Sequence, residues 1–308
     1  MKEKLIGLRE AIASLVQDGN SIVLGAGAEV AIPFAAVHEI IRQARRDLNV
    51  IAPISDALSD MLIGAGCVSS VTSAWVGNVS GGLGHNYRRA VEKGLPHPIT
   101  VRDYSNFSIA MGMLAGAHGM PYVPVKTILG SDILKSNPDF KISDNPFSEE
   151  EEPIVLVPPI NPDVAILGVQ RADKFGNSHF WGSSGLVQES ALAAEQVIIL
   201  ADELVEPEVI SSDPSRIMIP GFRVTHICHL PGGCHPSPVT GYWKRDNEFF
   251  NAYHTQSRAP EGYQKWLNDW VFGVDDHDGY LARLGSERMG NLKIIGEEFS
   301  APTNWASE

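Results

Sequence analysis

Four segments of the chain carry residues with chemical reach. Gly25-Ala26-Gly27 follows the short apolar run Ser21 to Leu24, a buried strand entering a glycine-rich loop. A dinucleotide fingerprint would need a third glycine where Val30 stands, and Pro33 sits where its helix should already be running. A complete dinucleotide site is therefore not expected, although such a loop still lets a ligand approach the backbone closely. The second loop, Gly77-Asn78-Val79-Ser80-Gly81-Gly82-Leu83-Gly84, could turn backbone N–H groups and the Asn78 amide onto an anion or a developing oxyanion. Its other role is a flexible connection. Asp103-Tyr104-Ser105-Asn106 follows the strand Ile99 to Arg102 and opens a helix, so Asp103 or Ser105 either caps that helix or serves a ligand at the strand's carboxyl end. Cys228-His229 and Cys234-His235 suggest a metal pair, but four residues part them and no second ligand cluster follows. A strand end and a tight turn account for them, and no metal is expected. Neither a Gly-x-Ser-x-Gly elbow nor a phosphate-binding P-loop occurs.

The elements that hold these segments alternate between strand and helix. Leu5, Leu8, Ile12, Leu15 and Val16 recur at helical spacing. Pro33 suits a first helical turn, with Phe34, Val37, Ile40 and Ile41 on its apolar face. Leu48 to Ala52 and Val68 to Val76 are further strand candidates, and Ser55 can cap a helix running through Met61 and Leu62 to Gly64. Strands separated by helices of this length favour a parallel sheet covered on both faces. Residues 130–153 break the rhythm, with three prolines and the run Glu149-Glu150-Glu151-Glu152. They form either a domain boundary or an irregular excursion over one domain. A single domain over 1–308 is predicted. Strands resume at Ile154 to Val157, Val164 to Val169 and Val197 to Ala201. Phe222 to Leu230 alternates loosely, and about 246–290 is helical, broken by Pro260 and Gly273.

Composition narrows the partners. The 308 residues are 44% hydrophobic and 20% charged, which supports a large α/β core and excludes wholesale disorder. Twenty-four basic against 37 acidic side chains give a net charge of -13, unsuited to coating nucleic acid. Small anions remain open through a local arginine pocket or a helix N-terminus. Three cysteines do not make a disulfide framework and fit a reducing compartment. No apolar run approaches the roughly 20 residues of a membrane span, and Met1-Lys2-Glu3-Lys4 leads into an amphipathic stretch instead of a secretory core. A soluble cytoplasmic protein is expected.

Taken in order, these elements resemble the A (α) chain of glutaconate CoA-transferase, within the family I CoA-transferases. The likeness runs through Pro33-Phe34-Ala35-Ala36-Val37, Glu39-Ile40-Ile41-Arg42-Gln43, Asp60-Met61-Leu62-Ile63-Gly64, Asp103-Tyr104-Ser105, Asp144-Asn145-Pro146-Phe147 and Asp163-Val164-Ala165-Ile166. It continues in Ile219-Pro220-Gly221, His235-Pro236-Ser237, Trp270-Val271-Phe272, Asp276-His277-Asp278, Tyr280-Leu281 and Asn291-Leu292-Lys293. The resemblance implies a three-layer α/β/α fold with an open, mostly parallel sheet, coenzyme A as substrate and no permanently bound cofactor. It also implies an obligate B (β) subunit in a heterodimer or higher (AB)n assembly. CoA would pass between an acyl-CoA and a carboxylic acid by a ping-pong route through a glutamyl-CoA thioester. In two-chain members the nucleophilic glutamate belongs to the B subunit, and no Glu-Asn-Gly-type motif is found here. Candidate contacts with substrate are then Gly25, Gly27, Asn78, Val79, Ser80, Asp103, Tyr104, Ser105, Gly130 and Ser131.

One departure stands out. Where the family's α chain has Gly-Gly-Phe-Thr, this chain reads Gly25-Ala26-Gly27-Ala28, so the acyl substrate is expected to differ from glutaconate. Similar chains include hydrolases of CoA thioesters in ring degradation, which dispense with the nucleophilic glutamate. In that alternative Asp103 would be the acid/base. CoA is polyanionic, so the acidic chain or its partner must supply local cations. Arg88, Arg89 and Lys93 are candidates, their other role being a solvated helix face.

Overall fold

The Val- and Ile-rich runs do become adjacent strands. In the computed structural model, which describes residues 3–27, 29–54 and 56–295, β1 (Ser21–Leu24) lies between β2 (Leu48–Ile54) and the strand Val164–Ala172. Val23 aligns with Ile51 on one side and Ala165 on the other. Ala28, and Ser55 with its expected capping role, lie outside the described residues. The parallel set continues outward through β3 (Val68–Trp75) to Thr100–Asp103, and in the other direction through Gln196–Leu204 to His226–His229. Two short antiparallel strands, Ser178–His179 and Ile217–Ile219, complete a nine-stranded sheet.

Alternation along each strand splits the core in two, because successive side chains point to opposite faces. Ile22, Leu24, Val50, Ile166, Ile198 and Leu200 face a layer made by α1 (Leu8–Leu15), α2 (Phe34–Arg42), α3 (Ala57–Gly64) and the C-terminal helices, with Phe250, Tyr253, Trp266 and Tyr280 buried among them. Val23, Ile51, Ala165, Leu167, Val197 and Ile199 face the other layer, which includes Ile109 and Met113. These two come from a helix, Asn106–His118, numbered α5 after α4 (His85–Lys93). The result is the three-layer α/β/α arrangement, with the C-terminal region built from Asn247–Ser257, Pro260–Leu267, His277–Leu284 and Ser286–Leu292.

Three expectations need correction. Residues 130–153 are not simply irregular. Val123–Val125, Lys141–Asp144 and Pro153–Val157 form a separate antiparallel sheet, with a short helix at Ile133–Ser136. Val125, Phe140, Val155 and Val157 join the second core cluster, so this small sheet shares its apolar interior with α5. The second glycine loop is likewise not a loose connection: Gly77–Asn78 pairs with Gly82–Leu83 in a small hairpin. Phe222 to Leu230 also resolves differently, into a 3₁₀ turn at Gly221–Arg223 followed by the His226–His229 strand.

Close approach explains two glycines of α5. The Gly112 carbonyl accepts a 2.9 Å hydrogen bond from Ile160 N–H, and a Cβ on Gly116 would meet the Ile160 carbonyl. Alanine is the better helix former by roughly 1 kcal/mol. Gly116→Ala should nonetheless destabilise the chain by about 1–3 kcal/mol, since a backbone carbonyl cannot rotate away. Urea unfolding of the variant checks this sign.

Candidate active site

The parallel strands deliver the polar segments to one end of the sheet. Gly25–Gly27 leaves β1, Pro53 and Ile54 end β2, the hairpin follows β3, and Asp103–Ser105 leads from the fourth strand into α5. That end is where open α/β sheets place ligands. A cleft of about 270 Å³ opens there, lined by Ala26, Gly27, Pro53, Ile54, Asn106 and Ala110, with Gly185 and Leu186 closing it. The first glycine loop and the start of α5 thus share a wall.

Ser105 is the cap of α5. Its hydroxyl accepts from Ser108 N–H at 3.0 Å, while Ser105 N–H donates to Ser108 Oγ at 2.9 Å. Asp103 is exposed at the strand end, and its carbonyl accepts from Asn137. Tyr104 turns the other way: its ring is buried against Phe140 and its hydroxyl donates to Asp139 at 3.3 Å. Burial and the neighbouring Asp139 push that phenol well above its ordinary range. Gly130 lies exposed at a positive φ of 75°, and Ser131 closes a turn onto Ile128. Neither lines the cleft.

The hairpin is tied down rather than open. Asn78 is buried, with its side-chain N–H donating to the Phe250 carbonyl at 2.8 Å and its oxygen accepting from Ser80 N–H at 2.9 Å. Both ends of the amide thus have a partner within the chain. Asn78→Ala should therefore cost about 1–3 kcal/mol of stability, by removing the buried bonds from Asn78 to the Phe250 carbonyl and from Ser80 N–H, and a denaturation midpoint will show it. Val79 N–H donates to Asp56 at 3.1 Å, and Ser80 accepts from Arg245 at 3.2 Å.

Those partners are what sequence reading missed. Asp56 and Arg245 form an ion pair at 2.7 Å with both side chains 0% exposed. Arg245 lies over the Phe250 ring, 3.8 Å from its centroid, and also donates to Asn247. Burial pushes the Asp56 carboxyl upward, with Arg245 opposing it. Beside them stands Glu29, at a positive φ of 62°, one carboxylate oxygen of which is buried without a hydrogen-bond donor among the described residues. Burial and then the Asp56 charge raise Glu29 to about 7, partly offset by Arg245. Of the basic residues considered for CoA, Arg88 pairs with Glu92 on the surface, Arg89 donates to Asn86 and to the Arg258 carbonyl, and Lys93 is exposed in the last turn of α4.

A second buried network fixes the C-terminal helices under the sheet. His235 contacts Asp246 at 3.0 Å and the Tyr280 hydroxyl at 2.7 Å, and Arg288 donates twice to Asp246. Burial alone would raise Asp246, but the bonds from Arg288 and His235 hold it well below the usual carboxylate range. The stability it provides is full above the unfolded aspartate value of about 3.9 and is lost as pH falls through its lower folded value. Wild type should therefore exceed Asp246→Asn near pH 7 by on the order of 1.5–3 kcal/mol, and the part of that margin due to Asp246 ionisation should shrink below about pH 4. Paired unfolding curves across pH 2 to 7 test that margin, about the unfolded value. Cys228 and Cys234 are buried free thiols, and His229 is exposed. Among the described residues no three His, Cys, Asp or Glu side chains gather as a metal site would need.

Comparison with known proteins places this geometry. The family model for coenzyme A transferase matches residues 6–230. The chain is 37% identical over 281 residues to the A chain of the 3-oxoadipate CoA-transferase of Pseudomonas knackmussii, covering 91% of this chain and 98% of that one. It is 35% identical over 309 residues to the A chain of the glutaconate CoA-transferase of Acidaminococcus fermentans, covering 95% of each. The crystal structure of the Acidaminococcus fermentans glutaconate coenzyme A-transferase superposes with a TM-score of 0.90 at 33% identity, over 96% of this chain and 98% of that one. Matched over most of its length in sequence and in sheet architecture, the chain belongs to the coenzyme A transferase family, among its α subunits.

Proposed function

We propose that this chain is the α half of a two-chain enzyme that moves CoA between an acyl-CoA and a carboxylic acid, with the reactive glutamate supplied by a B subunit. The observation that carries this reading is the near end-to-end similarity to α subunits of CoA-transferases, on a fold with a TM-score of 0.90. In the proposed cycle the partner's glutamate carboxylate attacks the thioester carbonyl, the C–S bond breaks, and a mixed anhydride and CoA thiolate result. The thiolate then attacks the glutamyl carbonyl, releasing the first acid as carboxylate and leaving a glutamyl-CoA thioester. An incoming carboxylate repeats both steps in reverse, and the glutamate is regenerated with no net proton change. Covalent capture keeps the thioester's free energy on the enzyme, provided water is kept from the anhydride. The share assigned to this chain is the wall around Gly27 and Asn106, which would seat the acyl group.

The test is reconstitution. This chain and its co-expressed B partner are purified separately and together, and CoA exchange is followed from an acyl-CoA to acetate. Exchange is expected only in the mixture, and only with the partner's glutamate intact. Exchange by this chain unaided would overturn the reading. Release of free CoA without transfer, lost in Asp103→Ala, would replace it with the thioester hydrolase.

A further inference from the structure

We propose that the cleft between the first glycine loop and α5 measures the aliphatic chain of the acyl group, with Ala110 and Leu186 setting the length it accepts. The inference rests on the CoA-transferase reading above and narrows it to a substrate class. The cleft is graded from mouth to floor. Asn106 is exposed at its mouth, Ile54, Ala110 and Leu186 are half-buried along its walls, and Ala26 and Gly27 are buried at its floor. Asn106 and Ala110 lie on one face of α5, about 6 Å apart along its axis. The lining therefore passes from a polar entrance to an apolar interior within about one helical turn.

Size and surface decide what can enter. At about 270 Å³ the cleft lies just under the roughly 300–1,000 Å³ of drug-sized pockets, so it admits an acyl chain and leaves CoA outside. Among the described residues Asn106 is the polar side chain of the lining, and it stands at the entrance. The thioester carbonyl, which a carboxylate of the partner must reach, stays at that entrance while the chain points inward. Ile54, Ala110 and Leu186 keep apolar surface open to water, and each methylene laid against them gains by leaving water. The walls are fixed. Leu186 N–H donates to the Ala26 carbonyl at 2.7 Å, which ties one wall to the floor. On the other side α5 is held through the Gly112 carbonyl, which accepts from Ile160 N–H at 2.9 Å. Beneath Gly27 lies the Val30 carbonyl, so close that a Cβ would meet it at 2.4 Å. A preformed pocket with such a floor discriminates by length, since a single methylene too many or too few changes the rate constant by about 10–200-fold.

The experiment measures kcat/KM of the reconstituted two-chain enzyme for acetyl-, hexanoyl-, decanoyl- and palmitoyl-CoA as donors to propionate. The expected value rises about 10²-fold from acetyl-CoA to hexanoyl-CoA, about fourfold for each added methylene. It falls by about tenfold or more at palmitoyl-CoA, whose chain the floor excludes. Ala110→Leu, which narrows the cleft, should lower the hexanoyl-to-acetyl ratio by about tenfold. Leu186→Ala, which widens it, should raise the decanoyl-to-hexanoyl ratio by about tenfold. Each ratio is taken within one variant, so weaker assembly with the partner cancels, and the wild-type series decides the matter if neither variant assembles. A flat wild-type series overturns the inference while leaving CoA transfer standing. An unchanged ratio in either variant does the same. Absence of transfer from every donor defeats the underlying reading instead.

Discussion

Arg245→Met is expected to lower the unfolding free energy by about 3–5 kcal/mol, the largest single-residue loss anticipated in this chain. Its side chain and that of Asp56 are both 0% exposed and 2.7 Å apart. Removing the guanidinium leaves a carboxylate in a water-free site, which must either take up a proton or disrupt its surroundings. The damage should reach both glycine segments, because Asp56 holds Val79 N–H and Arg245 holds Ser80. Urea unfolding of Arg245→Met, Asp56→Asn and the double variant forms a cycle, and the double variant should recover a large part of the single loss. Additive effects would mean that the two side chains act independently. A loss in Arg245→Met under about 1 kcal/mol, the range of a surface pair, would mean that water reaches this site in solution.

Gly27→Ala is expected to reduce kcat/KM of the reconstituted enzyme by about 10²-fold, the scale of a roughly 1 Å displacement in a site that works by orientation. A methyl group at Gly27 would drive into the Val30 carbonyl, a backbone atom with no rotamer to escape by. The turn carrying Glu29 must therefore open, and the wall shared with Asn106 moves with it. The strand beneath, Ser21–Leu24, is paired on both sides, so global stability should change much less than activity. Wild-type kinetics in this variant would show that the loop only turns the chain.

Much of the scaffold was legible because its signals are local. The run Ser21–Leu24 became a strand with those bounds, and Pro33 precedes a helix over Phe34–Arg42 as its apolar spacing requires. Strands parted by helices led to a parallel sheet, since a parallel pair needs a crossover. Of the small sheet inside 123–157, the strand at Ile154 to Val157 was legible and its two partners were not. Lys141–Asp144 is exposed at every position and its strands run three to five residues, so no alternation marks them. The hairpin at 77–84 has strands of two residues, too short for any period to register.

By itself, the sequence determined the layered α/β/α architecture and the strand-end location of the glycine and polar segments, because hydrophobic periodicity and turn chemistry act over a few residues. It also carried the resemblance to α subunits, whose motifs run along most of the chain. Which side chains pack around the glycine segments was decided by tertiary structure. Arg245 and Asp56 are 189 positions apart, and composition alone would put both charges in water. Only the docking of the C-terminal helices against the β-sheet's helical layer buries them together. The Asn78 amide was diverted to the Phe250 carbonyl by the same docking. Glu29 acquired its unanswered oxygen from neighbours that no spacing rule connects to it.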